Sequence, residues 1–479
     1  MRVFLFNSRL GVCLSRHARL KTYTCLTKGR FLSTCRDETF SLPVGNNGLV
    51  SISVTKPGHI SNDSPLESRV ILYLPPGPIF KEFNGNGEPI QNEVDSDIWA
   101  NSINATGSSS SMSKSTSPQH ALACMTSSTV VTVNYRLGPS QERNHASPET
   151  KSEPEPETDA VDFYKYPAPV HDTLMGFDWI QTHLKPTQLG VFGSHIGGSL
   201  ALMLALTEAQ SLHGIAAVEP ICDWPSLDDY CISASANSTD PQDTGTKRSK
   251  KPSKRKGPAP PDLVPLLEAR EKYFTSFERC FDAFASPILF LRSAGRDTQE
   301  TFPRYLTGPN YPIPVLEDSL NHTSRAQQSG SNGRYNGDDY LDVEIGSDVD
   351  SSESHVPVRR RKALSRWPPY GLDYGLSSKT WSGPNDGIGR LQITLPWVKI
   401  FLRNGSLEQN ASNKDLLSKR TVLDHQGEEM VSVMRRACFW GREKGFGEQR
   451  VTLGKVDENF GQEVKEYFNV VFDETNSDL

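Results

Sequence analysis

The stretch LGVFGSHIGGSLALML, at residues 189–204, combines a short apolar run, a turn bounded by glycines and a longer apolar run. The first run predicts a buried strand, and the second predicts a helix that is apolar on nearly every face. A strand, a tight turn and a helix are the layout of a nucleophile elbow, whose usual pattern is Gly-x-Ser-x-Gly. Here Gly193 and Gly197 flank His195, and the serine, Ser194, stands one position early.

The two glycines indicate which residue occupies the centre of the turn. Small residues two positions before and after the centre allow the strand and the helix to pack closely. Gly193 and Gly197 meet that requirement only if His195 is central. If Ser194 were central, a phenylalanine and an isoleucine would fill the crowded positions, and Ser199 lies too far into the predicted helix. The expected nucleophile position therefore holds an imidazole.

Outward from this stretch, predicted strands alternate with predicted helices. Runs of apolar and β-branched residues predict strands, and apolar residues at helical spacing predict helices. The strands are expected at 49–55, 69–74, 129–135, 189–192, 214–218, 287–291 and 391–402, and the helices at 170–184, 198–209 and 426–440. This alternation predicts an α/β fold with a largely parallel sheet.

Four polar, low-complexity segments interrupt that pattern. They are too poor in apolar residues to offset the entropy of ordering, so we expect loops or disorder. The segments are 83–119, 140–158, 233–261 and 318–362. The run KRSKKPSKRK, within the third, is interpreted as a solvated loop, with a nuclear signal or a patch for an acidic partner as alternatives.

Composition excludes several classes of protein. The 479 residues carry a net charge of −6, which gives no reason to expect nucleic acid as a partner. The sequence contains no run of 18 apolar residues, so a membrane span is not expected. The 8 cysteines form no C-x-x-C pair and no metal-like spacing, which favours a reducing compartment over a disulfide scaffold.

The first 36 residues differ from the rest of the chain. They contain basic, hydroxylated and apolar side chains but no Asp or Glu, a composition typical of a mitochondrial transit peptide. We therefore expect a mitochondrial protein with a folded domain at 40–479. The alternative is a disordered basic leader without a targeting role.

The order of several motifs resembles one known family. The motifs are VILYLPPGP, VVTVNYRLGP, YPAPVHDTLMGFDWI, FGSHIGG, EPICDW and SAGRD. Together they resemble the hormone-sensitive-lipase-like esterases of the α/β-hydrolase fold. The resemblance implies a mostly parallel central sheet with helices on both faces, a reduced or irregular cap in the region 220–285, and carboxylic-ester hydrolysis.

The resemblance also suggests positions for a catalytic triad. It places His195 at the nucleophile position and Asp297, within SAGRD, at the position of the acid. The triad histidine should follow the last strand, and His425 is the candidate by elimination. Asp297 could instead cap a turn, and His425 could lie at a helix start capped by Asp424. Asp172 is interpreted as a brace for the elbow.

The predicted oxyanion loop departs from the family as well. The run Pro75-Pro76-Gly77-Pro78 stands where the resemblance would place His-Gly-Gly-Gly. Oxyanion stabilisation in these enzymes uses backbone N–H groups, and proline has none. Gly77 and Ile196 are the remaining candidate donors.

Two functional hypotheses arise from these departures. One is a pseudo-hydrolase that binds a small ester or acyl ligand, or a protein partner of unknown kind, in the old active site. The other is an active ester hydrolase with a non-standard site. No cofactor or metal is expected, although His195, Asp297 and His425 are residue types that could ligate one. The aromatic and arginine-rich stretches 366–375 and 435–450 could line a pocket, form a partner surface or pack on the core.

Overall fold

The computed structural model contains most of the predicted strands and helices. The described residues are 35–45, 48–58, 69–80, 117–139, 163–232, 259–317, 361–365, 367, 395–403, 420–439, 443–457 and 459–474. The expected transit peptide and the four expected inserts lie almost entirely outside these ranges. Only the ends of some of these segments are described, and they include Arg36, Pro118, Ala259 and Lys362.

An eight-stranded sheet in the order β1-β2-β4-β3-β7-β8-β11-β12 forms the centre of the fold. β2 pairs antiparallel with both of its neighbours, and every other pairing is parallel. The strands are β1 (Arg36–Val44), β2 (Gly48–Lys56), β3 (Arg69–Leu74), β4 (Thr129–Asn134), β7 (Gln188–Ser194), β8 (Gly214–Val218), β11 (Trp397–Leu402) and β12 (Val451–Lys455). The parallel sheet predicted from the alternating pattern is confirmed.

Helices cover both faces of the sheet, because its central strands are apolar on both sides. The helices are α1 (Pro118–Thr126), α2 (Ala168–Trp179), α3 (Ile196–Thr207), α4 (Leu263–Tyr273), α5 (Val422–Cys438), α6 (Phe446–Arg450) and α7 (Phe460–Glu474). A π-helical turn, Ile180–Leu184, extends α2. All but the last residue of α3 are buried, as its uniformly apolar sequence predicts.

The described residues between β8 and β11 form no strand of the main sheet. They contain α4, short 3-10 turns and a hairpin of β9 (Tyr305–Gly308) and β10 (Tyr311–Leu316). A further two-residue pair, β5 (Gly138–Pro139) and β6 (Phe163–Tyr164), lies outside the main sheet. The strand predicted at 287–291 is wrong: Pro287–Phe290 is a 3-10 turn. Pro287 and Ile288 are buried, Leu289 and Phe290 are partly buried, and the turn lies against α3, so the apolar run marks core packing rather than a strand.

The described parts of the two aromatic and arginine-rich stretches pack on the core. Trp367 is buried, and its indole N–H donates to the carbonyl of Leu206 at 3.3 Å. Arg435 donates twice to the carbonyl of Val451, at 2.9 and 2.7 Å. No helix among the described residues is long and apolar enough to cross a membrane.

Candidate active site at the elbow

His195 occupies the tip of the turn between β7 and α3. Its backbone has φ 48° and ψ −110°, a conformation that is uncommon for any residue other than glycine. The backbone N–H of His195 donates to the carbonyl of Val218 at 2.9 Å, and its own carbonyl accepts from Ser199. This is the strained turn of a nucleophile elbow, with histidine at its centre.

The flanking glycines make this turn sterically feasible. A Cβ on Gly193 would lie 2.2 Å from the carbonyl oxygen of Gly197, and one on Gly197 would lie 2.2 Å from that of Leu74. Both contacts are to backbone, which cannot rotate away. Ser194 is the last residue of β7, and the buried hydroxyl of Ser199 donates to the carbonyl of Ile221 at 2.5 Å. The serines therefore lie on either side of the nucleophile position.

The proline loop after β3 lies directly against the elbow. The N–H of Ile196, one of the two predicted oxyanion donors, points at the carbonyl of Pro76 with a long hydrogen bond of 3.4 Å. Gly77 has φ +79°, and a Cβ there would lie 3.1 Å from Ile196 Cδ1. The Pro76 carbonyl of this loop thus accepts from the N–H group that an oxyanion would need as its donor.

A chain of contacts holds that loop in place. The hydroxyl of Tyr135 donates to the carbonyl of Pro75 at 2.5 Å, and burial raises the Tyr135 pKa so that the hydroxyl stays protonated. The next residue, Arg136, bonds the fully buried Asp172 through its backbone N–H, Nε and Nη2, at 2.8, 3.0 and 2.8 Å. Hydrogen bonding to Asp172 raises the Arg136 pKa. Asp172 therefore acts as a brace, in keeping with its interpretation from sequence.

The imidazole of His195 is partly exposed, and its contacts include Glu219 and Phe80. Its Nδ1 lies 3.4 Å from the carbonyl oxygen of Glu219, and the Phe80 ring packs edge-on at 4.9 Å between centroids. Because a carbonyl only accepts, this contact favours the tautomer with the proton on Nδ1. In the neutral ring, Nε2 is then a hydrogen-bond acceptor.

An ion pair that was not predicted from the sequence lies beside His195. Glu219 directly follows β8, has φ 42° and is buried. Its Oε2 accepts from Nη2 of Arg403, the first residue after β11, at 3.2 Å. Both residues stand at carboxyl ends of adjacent parallel strands, where α/β proteins bind ligands. A positive φ at a glutamate is not encoded in any local motif, so the sequence held no direct signal for it.

Asp297 does not follow a strand of the sheet, and its assignment as the triad acid stays a prediction. That prediction required a strand at 287–291, and this segment is a 3-10 turn outside the sheet. The strand next to β8 is instead β11, and residues 404–419, which come after it, lie outside the described ranges. The neighbouring Arg296 pairs with Asp228 at 2.9 Å and also with Asp229, which ties this loop to the segment after β8.

His425 does not follow the last strand of the described residues, and its assignment as the triad histidine stays a prediction. It lies in the first turn of α5, before β12, and its ring is 6.1 Å from that of Tyr230. The N-cap of α5 is Thr421 rather than Asp424, and the two form a reciprocal capping box. After β12, the last strand, the chain continues as VDENF, which has no histidine. Within the described ranges, no three His, Cys, Asp or Glu side chains are placed to hold a metal ion.

An eight-stranded, mostly parallel sheet with helices on both faces and an elbow after a central strand is the α/β-hydrolase fold. No protein-family model matches the chain, and no curated protein matches it. The assignment of the fold rests on the strand order and on the geometry of the elbow.

Several solved structures are similar to this chain. Vibralactone cyclase is 12% identical, with 92% of this chain and 81% of that one covered and a TM-score of 0.41. EstE1, a thermostable carboxylesterase from a metagenomic library, is 16% identical, with coverages of 54% and 66% and a TM-score of 0.30. Brefeldin A esterase, a bacterial homologue of human hormone-sensitive lipase, is 14% identical, with coverages of 56% and 59% and a TM-score of 0.30. The chain thus spans just under two thirds of EstE1.

Proposed function

We propose that this protein uses the α/β-hydrolase fold to bind a small ester or acyl ligand at the elbow, without hydrolysing it. The observation that carries the proposal is the contact between the Ile196 N–H and the Pro76 carbonyl, beside an imidazole at the nucleophile position. Nucleophile and oxyanion donor are altered together, at two sites far apart in the sequence.

Acyl transfer by this fold depends on both of the altered parts. It requires a nucleophile with an adjacent base, and donors aimed at the developing oxyanion. Loss of one such donor costs about 10²–10³ in rate. Here the Ile196 N–H points at a carbonyl, and three of the four residues at 75–78 are prolines without N–H groups. The five residues directly after β12, VDENF, offer no histidine that could serve as this base.

The same groups remain suited to binding. The Phe80 ring offers an apolar surface for an acyl chain. Nε2 of His195 can accept from a ligand hydroxyl when neutral, or donate to an ester carbonyl or a carboxylate when protonated. The Glu219–Arg403 pair adds charge at the same edge of the sheet. A ligand with a short acyl chain and one polar head fits these groups.

An activity measurement tests the catalytic half of the proposal. The purified full chain, His195→Ala, His195→Ser and Ser194→Ala are assayed with p-nitrophenyl acetate and butyrate and with a fluorophosphonate probe. We expect no turnover above the uncatalysed rate and no labelling in any of them, since restoring a serine does not restore the donor or the base. Hydrolysis by the wild type that disappears in His195→Ala would establish the alternative, an active hydrolase with a non-standard site. Labelling that disappears only in Ser194→Ala would overturn the elbow register.

A binding measurement tests the other half. Thermal unfolding is followed with and without butyrate and ethyl butyrate, for the wild type, Phe80→Ala and Phe284→Ala, the last an exposed phenylalanine that does not contact His195 in the structure. We expect a ligand-induced rise in Tm that Phe80→Ala loses and Phe284→Ala keeps. An equal rise in Tm in all three proteins would show that the ligand binds elsewhere. No rise in Tm in any of them would exclude butyrate and ethyl butyrate as ligands.

We also propose that residues 1–34 direct the protein to mitochondria, since the last two residues of the expected transit peptide, Cys35 and Arg36, belong to the described structure, where Arg36 begins β1. The support is their composition, with basic side chains and no acidic ones. A fluorescent fusion of the full chain should co-localise with mitochondria, and deletion of residues 2–34 should abolish this. Unchanged localisation after the deletion would contradict the proposal.

A further inference from the structure

Two cysteines that are distant in the sequence meet at the edge of the sheet. Cys35 immediately precedes β1, and Cys124 lies on α1. Their sulfur atoms are 3.2 Å apart, and neither residue is in a disulfide. A disulfide bond is about 2.05 Å long, so the two sulfurs need to approach by only about 1 Å.

A second contact fixes the alignment of the same two segments. Asp37, two residues after Cys35, faces His120, four residues before Cys124, with 2.9 Å between Oδ2 and Nε2. The other oxygen of Asp37 accepts from the hydroxyl of Thr55 on β2, at 2.7 Å. Residues two apart on a strand and four apart on a helix share a face, so the two contacts lie side by side.

We propose that Cys35 and Cys124 form a reversible intramolecular disulfide by exchange with a small-molecule disulfide such as oxidised glutathione. The thiolate of the exposed Cys124 attacks one sulfur of glutathione disulfide and releases one glutathione. The Cys35 thiol then loses its proton, attacks the Cys124 sulfur and releases the second. Two protein thiols are oxidised, one glutathione disulfide is reduced to two glutathione thiols, and the two protons end on the glutathiones.

The environments of the two thiols suit these different roles. Cys124 is exposed, as the site of first exchange must be, whereas Cys35 is half-buried beneath it. The hydrogen bond with Cys124 raises the Cys35 pKa, and burial raises it further. Cys35 therefore stays protonated until the mixed disulfide has formed, which suits a resolving thiol.

The other described cysteines lack such a partner. Cys222 and Cys280 are buried, and the sulfurs of Cys222 and Cys231 contact backbone carbonyls, at 3.6 and 3.7 Å. Of the six described cysteines, Cys35 and Cys124 are the pair whose sulfurs are in contact. Sequence spacing does not indicate this pair, because 89 positions separate its members.

Peptide mapping of the full chain tests the proposal. The protein is equilibrated in glutathione buffers from fully reduced to fully oxidised, quenched with N-ethylmaleimide, digested and analysed by mass spectrometry. We expect a cross-linked peptide containing Cys35 and Cys124 that increases as the buffer becomes oxidising and disappears with dithiothreitol. Because the closed loop is long, the oxidised protein should also melt higher, by about 5 °C, than the reduced one.

Matched variants separate this disulfide from others. Cys35→Ser and Cys124→Ser should each lose the cross-linked peptide and the rise in Tm, whereas Cys438→Ser should keep both. The wild-type peptide map remains decisive if a variant does not fold. The proposal is overturned if both thiols stay alkylated in fully oxidised buffer, if Cys124 stops at the mixed disulfide, or if either thiol pairs with another cysteine. Zinc retained by the two thiols after purification would overturn it as well.

Discussion

At the scale of single residues, the geometry of His195 depends on its neighbours. A strained backbone of this kind costs about 1–3 kcal/mol and persists only where the surroundings enforce it. Hydrogen bonds to Val218 and from Ser199 hold the turn, and the glycines at 193 and 197 give it room. The turn therefore keeps the backbone conformation of a nucleophile elbow with histidine at its centre.

Substitution of the second elbow glycine tests this account of the turn. Gly197→Ala should destabilise the protein by about 2–4 kcal/mol, because its Cβ would lie 2.2 Å from the Leu74 carbonyl oxygen. Gly198→Ala is the matched control, since its nearest contact is the Pro220 side chain at 3.1 Å. Urea unfolding should give a clearly larger loss for Gly197→Ala. Equal midpoints for the two variants would show that the turn has more room than the structure indicates.

At the scale of the elements, hydrogen bonds at their ends fix where they start. Thr421 caps α5 by accepting from the N–H of Asp424 at 3.0 Å, while Asp424 accepts from the N–H of Thr421 at 3.1 Å. The buried Asp262 accepts from the N–H groups of Val422 and Leu423. The helix α5 therefore begins before the predicted residue 426, because the capping box and Asp262 supply acceptors for the N–H groups of its first turn.

Removal of the cap should have a small and specific effect. Thr421→Ala should lower the free energy of unfolding by about 1 kcal/mol, because the Asp424 N–H loses its acceptor. Thr421→Ser keeps that acceptor and should stay within a few tenths of a kcal/mol of the wild type. Chemical denaturation of both variants provides the measurement. A loss in Thr421→Ser as large as that in Thr421→Ala would assign the effect to the methyl group instead.

The junction of β7 and β8 should make stability depend on pH. The backbone N–H of His213 donates to the carbonyl of Leu189 at 2.9 Å, and its Nδ1 accepts from the Leu189 N–H at 3.1 Å. Burial lowers the His213 pKa below its ordinary value of 6.5. As pH falls through about 6.5, the unfolded chain takes up a proton that the folded chain does not, so stability falls.

His213→Asn isolates this contribution, because its side-chain oxygen can still accept from Leu189 but does not titrate. We expect the wild type to lose more stability than the variant between about pH 7 and pH 5.5. Urea midpoints at both pH values give the comparison. If the two proteins show the same pH dependence, other groups govern it.

At the scale of the whole molecule, buried charges join separate parts of the described region between β8 and β11 to one another and to α5. Arg292, 4% exposed, pairs with the buried Asp223 at 2.6 Å and with Glu429 on α5. Arg270, on α4, is also buried and pairs with Asp228 at 2.7 Å. Hydrophobic burial alone is non-directional, whereas these pairs specify how the region is oriented.

Loss of the most buried of these pairs should be costly. Arg292→Met leaves Asp223 buried without its cation and should cost about 3–5 kcal/mol. Arg296→Met is the matched control, because its pairs are more exposed and should be worth at most about 1 kcal/mol. Urea unfolding of the two variants gives the difference. A cost below about 1 kcal/mol for Arg292→Met would indicate that Asp223 finds another donor or is hydrated.

The sequence by itself determined the class of fold and the centre of the elbow. Both depend on local patterns, namely the alternation of apolar runs and the steric limit that two glycines place on a turn. It also indicated the proline loop, because the absence of N–H groups is a property of the residue type.

Only the tertiary structure decided what those parts do together. The strand expected at 287–291 became a turn, since a short apolar run does not distinguish a strand from a core-packed turn. Asp297 therefore does not follow a strand of the sheet, and β12 follows His425 in the chain, so both triad assignments stay predictions. The Pro76 carbonyl at the Ile196 N–H, the Glu219–Arg403 pair and the Cys35–Cys124 contact join residues from 89 to 184 positions apart. Such contacts arise when strand ends and helices are brought together, and no local pattern in the chain encodes them.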